Sequence, residues 1–369
     1  MANSGKKYFS WMERTERQDV SPDITQVYVE LSTHCNLACR TCVRHSIENF
    51  RPRHFTKPLM RRLLPMLKKL PKLDRIVLLG FGEALCNPDF THHLAALRRS
   101  DARIVLVSNA HFINEETAEF IVRLPVDELW LSWDDDPGAA SRNRRGAESG
   151  AYAGKVAMVR EARSRASSSR PLLGMEIVAM KSNRTAIPSI VSFGRDAGVE
   201  RFIVSNVFPY SAEMKDEILY TVFGKPEVSL EKLLRKEARK ADIIIAGHTA
   251  DVNRACPFVE RGTVFVTAEG DITPCPELAY THPAWYFGSR RTHRRFTTGN
   301  IVRGSLESAW SSRDFTELRK KFEYYEFPDC ATCVDPDMCW HRTVNVKDCY
   351  WNETPCGECL WAKGIVLCP

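Results

Sequence analysis

Three cysteines near one end of the chain, in the run His34-Cys35-Asn36-Leu37-Ala38-Cys39-Arg40-Thr41-Cys42, have a spacing suited to holding iron. An iron–sulfur cube takes four ligands, usually thiolates, so a local run that supplies three leaves one iron for an external molecule. A cysteine-rich zinc loop, or three thiols buried in a core, are the alternatives. The other ten cysteines are unevenly spread. Cys86 stands alone, none follows until Cys256, and nine lie between Cys256 and Cys368. A disulfide framework belongs to short secreted domains, so metal ligation under reducing conditions is the better use for thirteen cysteines in 369 residues.

The elements that must position these residues alternate from Gln26 onward. Short β-branched or apolar runs (26–31, 75–80, 103–108, 128–133, 172–180 and 201–205) read as strands, and stretches such as 58–70, 91–99 and 115–124 have helical spacing. Six strand-then-helix units predict a parallel sheet with helices outside, as a partial barrel or an open doubly wound sheet. Polar residues gather where such strands end: the cysteine loop after the first, Gly82 and Glu83 after the second, Ser108 and Asn109 after the third, Ser132 and Asp134 at the fourth, and Asn206 at the sixth. In a barrel those ends carry function. Taken singly, each would be a turn or a helix cap.

Between Ser211 and about Arg254 the chain becomes charged and helical, with a short apolar run at 242–246, and reads as a bridge to a second domain. The expected division is an N-terminal segment 1–24, a barrel 25–210, the bridge 211–253 and a cysteine-rich domain 254–369. The basic stretch Ser289-Arg-Arg-Thr-His-Arg-Arg295 reads as a solvated loop, with an anionic partner as the second reading. Net charge is a modest +6, which argues against a nucleic-acid partner. Residues 1–10 lack the apolar core of a signal peptide, and no stretch approaches the roughly 20 apolar residues of a membrane span. The expected location is cytoplasmic.

The three-cysteine run, Gly80-Phe-Gly-Glu-Ala-Leu85, Ser108-Asn109 and Ser132-Trp-Asp134 together resemble the partial (β/α)6 barrel, TIM-like, of the radical S-adenosylmethionine (SAM) enzymes, over roughly residues 24–210. The resemblance implies that Cys35, Cys39 and Cys42 hold a [4Fe–4S] cluster whose fourth iron binds the amino and carboxylate groups of SAM. It implies that Gly82 and Glu83 receive the SAM ammonium, that Ser132 contacts SAM and that Arg145 pairs its carboxylate. Ser108 and Asn206 are further candidate cofactor contacts. The implied reaction is reductive cleavage of SAM to a 5′-deoxyadenosyl radical that abstracts hydrogen from a substrate, with the protein supplying position, redox tuning and exclusion of water. This chain departs from the family pattern with Thr41 before the last cysteine, Ala84 after the glutamate and Ala110 after Ser108-Asn109, where a glycine is usual.

The second half is similar to the SPASM extension, which in related enzymes binds auxiliary [4Fe–4S] clusters. The candidate ligands are Cys256, Cys275, the C-x2-C-x5-C set Cys330, Cys333 and Cys339, then Cys349, Cys356, Cys359 and Cys368. Two protein-held clusters need eight thiolates, so one of the nine is surplus. Cys330, Cys333 and Cys339 belong to one cluster and Cys256 and Cys275 to the other, while the last four cannot be distributed from spacing. Zinc held by the pairs Cys330/Cys333 and Cys356/Cys359 is the alternative. Relatives that oxidise peptides place an acidic base directly after the cysteine matching Cys275. Here Pro276 stands there, and Glu277 is the substitute candidate, with an ordinary exposed carboxylate as the other reading.

The stretches 204–210, 217–220 and 348–369 look like the maturases of tungsten-containing aldehyde oxidoreductases, which implies action on the tungsten–pterin cofactor or its host enzyme. The implied partners are a reductant such as ferredoxin or flavodoxin, and a tungsten oxidoreductase or a peptide or protein substrate. The alternatives are side-chain modification of the sulfatase-maturase or ribosomal-peptide kind, a non-catalytic iron–sulfur scaffold or electron carrier, and a zinc-dependent nucleic-acid binder. Replacing Cys35, Cys39 or Cys42 by Ala is expected to abolish 5′-deoxyadenosine formation from SAM and dithionite while iron bound in the C-terminal half remains. Full activity in these variants would refute the assignment.

Overall fold

A strand buried on both faces must be apolar at successive positions, and a parallel sheet covered by helices is where such strands occur. The computed structural model describes residues 22–137, 142–147, 151–250, 255–286, 289–333, 339 and 347–369, so the N-terminal segment falls outside it except for its last three residues. Six parallel strands follow in chain order: β1 (Gln26–Val29), β2 (Arg75–Leu78), β3 (Arg103–Ser108), β4 (Glu128–Ser132), β5 (Leu172–Ala179) and β6 (Arg201–Asn206). Between them lie α1 (Lys57–Lys68), α2 (Phe90–Leu97), α3 (Glu115–Arg123), α4 (Tyr152–Arg165) and α5 (Ile187–Ala197). Local chemistry sets several ends: the Asn114 side chain accepts from Thr117 N–H to cap α3, and Gly198, at φ +108°, closes α5.

The sheet continues through both segments read as lying outside it. After α6 (Leu230–Leu234), the apolar run becomes β7 (Asp242–Ile245) and pairs parallel with β6. After α7 (Pro257–Glu260), β8 (Thr263–Val266) pairs parallel with the other side of β1, and β9 (Asp271–Thr273) returns antiparallel to β8. A separate hairpin of β10 (His282–Tyr286) and β11 (Ser289–His293) follows, then β12 (Gly299–Asn300) against β9, and finally α8 (Leu306–Trp310) and α9 (Arg313–Glu323). The result is one sheet of ten strands in the order β12-β9-β8-β1-β2-β3-β4-β5-β6-β7.

Alternate residues divide the interior into two cores. Val27, Ile76, Leu78, Ile104, Leu106, Leu129 and Met175 face the helices α1–α5. Tyr28, Val77, Val105, Trp130, Ile203 and Phe265 face the other way, into the concave side, where they pack with Phe208, Phe258, Leu360, Trp361, Ile365 and Val366. The end of the chain therefore fills the lower part of the lumen. Ser205 Oγ accepts from Leu367 N–H at 2.9 Å, and the Asn206 side-chain amide donates to Ile365 O at 3.1 Å and Gly247 O at 2.8 Å. Gly174 makes room for this core, since a Cβ there would lie 2.4 Å from the Trp130 ring.

One buried carboxylate joins the two halves. Glu30, fully buried just past β1, accepts from Phe81 N–H (2.8 Å), Ala268 N–H (3.1 Å) and the Tyr280 hydroxyl (2.5 Å), and so links the loop after β2 to the turn between β8 and β9. Burial raises its pKa to about 7, against the opposing effect of these donors. Gly80 is required beside it, because a Cβ would fall 2.3 Å from Glu30 Cγ. Glu30→Ala would leave two buried N–H groups without an acceptor, so it is expected to cost about 2–4 kcal/mol. Anaerobic urea unfolding followed by tryptophan fluorescence checks this, and an unchanged midpoint would show that the link is not stabilising.

Candidate active site and cysteine groups

The C-terminal ends of β1 to β5 open on a cleft of about 870 Å³, its open mouth included, lined by Cys35, Cys39, Cys42, Gly82, Glu83, Ser108, Asn109, Ser132, Arg144 and Glu176 among others. Seven of the residues expected from sequence thus meet in one place: the three cysteines, Gly82, Glu83, Ser108 and Ser132. The loop after β1 carries the cysteines. It is held at close range by Gly82, where a Cβ would lie 2.4 Å from Ser32 O and 2.5 Å from His34 O. No other residue type fits there without moving the cysteine loop.

Glu83 holds the next layer. Its N–H donates to His34 O at 2.7 Å, and its carboxylate accepts from the Ser108 hydroxyl (3.0 Å), Leu85 N–H (3.1 Å) and Asn109 N–H (2.8 Å). Burial raises the Glu83 pKa, with Asn109 N–H the largest opposing effect. The carboxylate is thereby committed to the chain itself, and Ser108 with it. Asn109, set by that contact, donates from Nδ2 to Asn36 Oδ1 at 2.9 Å and to Cys35 Sγ at 3.5 Å. Ala110 follows at φ +70°, the left-handed conformation that explains why glycine suits this position. Cys86, half-buried in the turn after Glu83, does not line the cleft.

The guanidinium in the cleft is that of Arg144, not Arg145. Asp135 accepts N–H bonds from Arg142, Asn143 and Arg144, which curls this strap so that Arg144 turns inward onto Asp134 Oδ2 at 2.9 Å. Asp134 is itself fixed, accepting from Val178 N–H at 2.7 Å. Arg145 is exposed, and its carbonyl accepts from Ala38 N–H at 3.0 Å, so its backbone rather than its side chain supports the cysteine loop. Asn206 is also absent from the cleft, spent on the C-terminal segment as described.

Glu176 was not foreseen. It is the register partner of Ser132 across β4 and β5, on the concave face, and its pKa is raised to about 7 by burial, with Asp134 adding and Arg144 opposing. Its signal was a single acid inside the apolar run 172–180.

The C-terminal cysteines separate into two groups of four and one apart. Cys256, Cys275, Cys356 and Cys359 line a single apolar cavity, and the Cys275 thiol is raised by burial and then by the other three. The Cys349 thiol is raised by burial and then Asp348, with Cys339 and Cys333 adding, and that of Cys330 by burial and then Glu358, with Cys349 adding, so these four thiols lie within electrostatic reach of one another. Cys368 accepts from Trp361 Nε1–H at 3.1 Å, and the carboxylates of Glu176 and Glu277 reinforce the effect of burial, which raises its pKa to about 12. It lies in the lumen beside Trp361. Among the described residues no three cysteine sulfurs lie within 4.8 Å of one another, whereas one tetrahedral zinc with Zn–S of about 2.3 Å needs them roughly 3.8 Å apart. Groups of four thiols spread more widely suit a four-iron cube.

A model of the radical SAM superfamily matches residues 29–188, and a model of the SPASM iron–sulfur cluster-binding domain matches residues 256–334. The chain is a radical SAM enzyme with a SPASM domain. Its cofactors are SAM with a [4Fe–4S] cluster, and auxiliary iron–sulfur clusters in the second half. The chain is 26% identical over 344 residues to the tungsten-containing aldehyde ferredoxin oxidoreductase cofactor-modifying protein of Pyrococcus furiosus, covering 93% of this chain and 96% of that one. It is 25% identical over 263 residues to the PqqA peptide cyclase of Gluconobacter oxydans, covering 68% and 71%. In fold it is similar to Streptococcus suis SuiB bound to S-adenosylmethionine (TM-score 0.63, 16% identity, 93% of this chain and 79% of that one). It is also similar to anSMEcpe with bound AdoMet (TM-score 0.59, 14% identity, 92% and 94%). These likenesses agree with the partial barrel seen here. No helix among the described residues is long and apolar enough to cross a membrane.

The basic stretch 289–295 is not a solvated loop. Its first five residues form β11, and alternation turns Arg291 and His293 inward, where Arg291 meets Glu358 through two contacts of 2.8 and 3.1 Å. Cys356→Ala and Cys349→Ala are each expected to lower iron and sulfide by about one cluster, from different groups, whereas Cys368→Ala leaves both unchanged. Iron and sulfide assays on anaerobically reconstituted protein check this, and loss of a cluster in Cys368→Ala would refute the grouping.

Proposed function

We propose that this enzyme acts in the maturation of a tungsten-containing oxidoreductase, on its cofactor or on the host protein. The observation that carries the reading is the similarity, along 93% of the chain, to a protein named for modifying the cofactor of such an oxidoreductase. The peptide-cyclase relative supports the second reading, modification of a peptide or protein side chain, over a smaller share of the chain. The non-catalytic readings leave the cleft residues without a purpose.

In this proposal Cys35, Cys39 and Cys42 hold the cluster of the cleft, and Cys256/275/356/359 and Cys330/333/339/349 hold the auxiliary pair. The cleft cluster, when bound, supplies the electron that cleaves SAM. Gly82 brings bare backbone to the SAM amino group, and Ser132 offers a hydroxyl from the neighbouring strand. Arg144 presents its guanidinium to the SAM carboxylate, oriented by Asp134 and Asp135. Ser108 and Glu83 act on this site indirectly, by holding Asn109 against the cysteine loop. Glu176 and the apolar lumen wall keep the reacting space narrow and poor in water. Free thiols in this number suit a reducing cytoplasm, where a ferredoxin or flavodoxin is the proposed reductant.

The test is deuterium transfer. Reconstituted enzyme, SAM and dithionite are combined with a tungsten–pterin cofactor, with its host oxidoreductase, or with small peptides. The expected result is 5′-deoxyadenosine formation that rises with the cofactor or host enzyme, and deuterium exchanged between that substrate and 5′-deoxyadenosine. Transfer only with peptides would replace this reading by the second one, and no SAM cleavage with intact clusters would overturn both.

A further inference from the structure

A carboxylate and two imidazoles meet at the wall of the cavity that Cys256, Cys275, Cys356 and Cys359 line, with Glu277 and His293 in that lining, and the cleft makes no use of them. Glu277 lies in the turn after β9. His282 and His293 are register partners across the β10–β11 hairpin, so both rings leave on the same face. The two histidine side chains are fully buried, and that of Glu277 is 4% exposed. His282 Nε2 lies 3.4 Å and His293 Nδ1 2.5 Å from the same oxygen, Glu277 Oε1, and the three ligand atoms are all within 4.8 Å of one another.

Two details point to a ligand rather than to a closed hydrogen-bonded network. First, His282 Nδ1 is 3.0 Å from Pro283 O whereas Nε2 is a longer 3.4 Å from Glu277 O, so the shorter contact takes the N–H and Nε2 keeps its lone pair toward Glu277. A ring that gives its second N–H to a backbone carbonyl is the usual support of a metal-bound histidine. Second, neither ring nitrogen of His293 nor Glu277 Oε1 makes a hydrogen bond, although all are buried, because the short contact between Nδ1 and Oε1 lacks the alignment of one. Two electron-rich atoms this close, both buried, need a cation, a proton or a metal ion, to hold them together. The other carboxylate oxygen is held in place, as the Tyr210 hydroxyl donates to Oε2 at 3.3 Å.

We propose that Glu277, His282 and His293 bind one divalent first-row transition-metal ion of the class that takes imidazole with carboxylate, such as zinc or ferrous iron. Two nitrogens and one oxygen are the donor set such ions prefer, and three protein ligands leave a coordination position open. The ion would stand beside the first auxiliary cluster and be distinct from it, since four thiols already serve that cluster.

The test uses full-length, tag-free protein with its clusters reconstituted anaerobically and then dialysed against metal-free buffer. Titration with Co2+ is expected to give one saturable equivalent with ligand-field bands in the visible, visible as a difference spectrum over the cluster absorption. Elemental analysis of protein isolated without added metal is expected to show one zinc, or one iron in excess of sulfide. His293→Ala and the shape-preserving Glu277→Gln are expected to weaken Co2+ binding at least about tenfold while iron and sulfide held by the cysteines stay constant. Absence of saturable Co2+ binding by the wild-type holoenzyme would overturn the proposal whatever the variants do. So would equal Co2+ affinity in cluster-replete variants.

Discussion

The carboxylate of Glu83 is the contact on which the cleft depends. It is withdrawn from water, and its cost is offset because every neighbour in reach is a donor from the chain: Leu85 and Asn109 through their N–H groups and Ser108 through its hydroxyl. By accepting from the end of β3 while its own N–H donates to His34, it fixes the distance between the third strand and the cysteine loop. Asn109 completes the link by reaching Cys35 and Asn36. Gly82 beside it lets the two backbones touch. This buried tie makes the cysteine loop part of the sheet rather than an appendage.

The same logic recurs at Glu30 and Asp135. Each buried acid gathers several donors: Glu30 joins residues 81, 268 and 280, distant in sequence, and Asp135 gathers the nearby strap 142–144 over the cysteine loop. Low dielectric makes these contacts strong when satisfied and costly when broken. They place rigid supports around the cleft, at the strand ends, where the apolar sheet gives way to polar loops.

The concave face shows why the two halves of the chain work as one. Tyr28, Val77, Val105 and Trp130 would be an exposed apolar wall in a bare six-stranded barrel, and the terminal segment with Trp361, Ile365 and Val366 covers them. Strand β8 completes the cover by pairing with the free edge of β1. Cys368 comes into the lumen as a result, where Trp361 Nε1–H donates to its sulfur. The auxiliary cysteines therefore share a core with the barrel instead of forming a detached module.

Much of this was legible in the linear chain, because it depends on neighbours in sequence. The C-x3-C-x2-C run, the six strands and their polar ends follow from local spacing and from the period of apolar residues, and they led to Gly82, Glu83, Ser108 and Ser132 in the cleft. Where the choice lay between adjacent residues, local pattern had no say: Arg144 rather than Arg145 enters the cleft because Asp134 and Asp135, brought near by the end of β4, bend the strap. The run 289–295 looked solvated because charge on an inward strand position is uncommon, and Glu358, far along the chain, helps make Arg291 tolerable there. Likewise the allotment of Cys349, Cys356, Cys359 and Cys368 depended on how the last segment folds back into the lumen. Residue types and spacing by themselves determined which chemistry this protein can hold; tertiary packing decided which side chains share each site, because burial makes every charge and thiol depend on partners that local sequence does not contain.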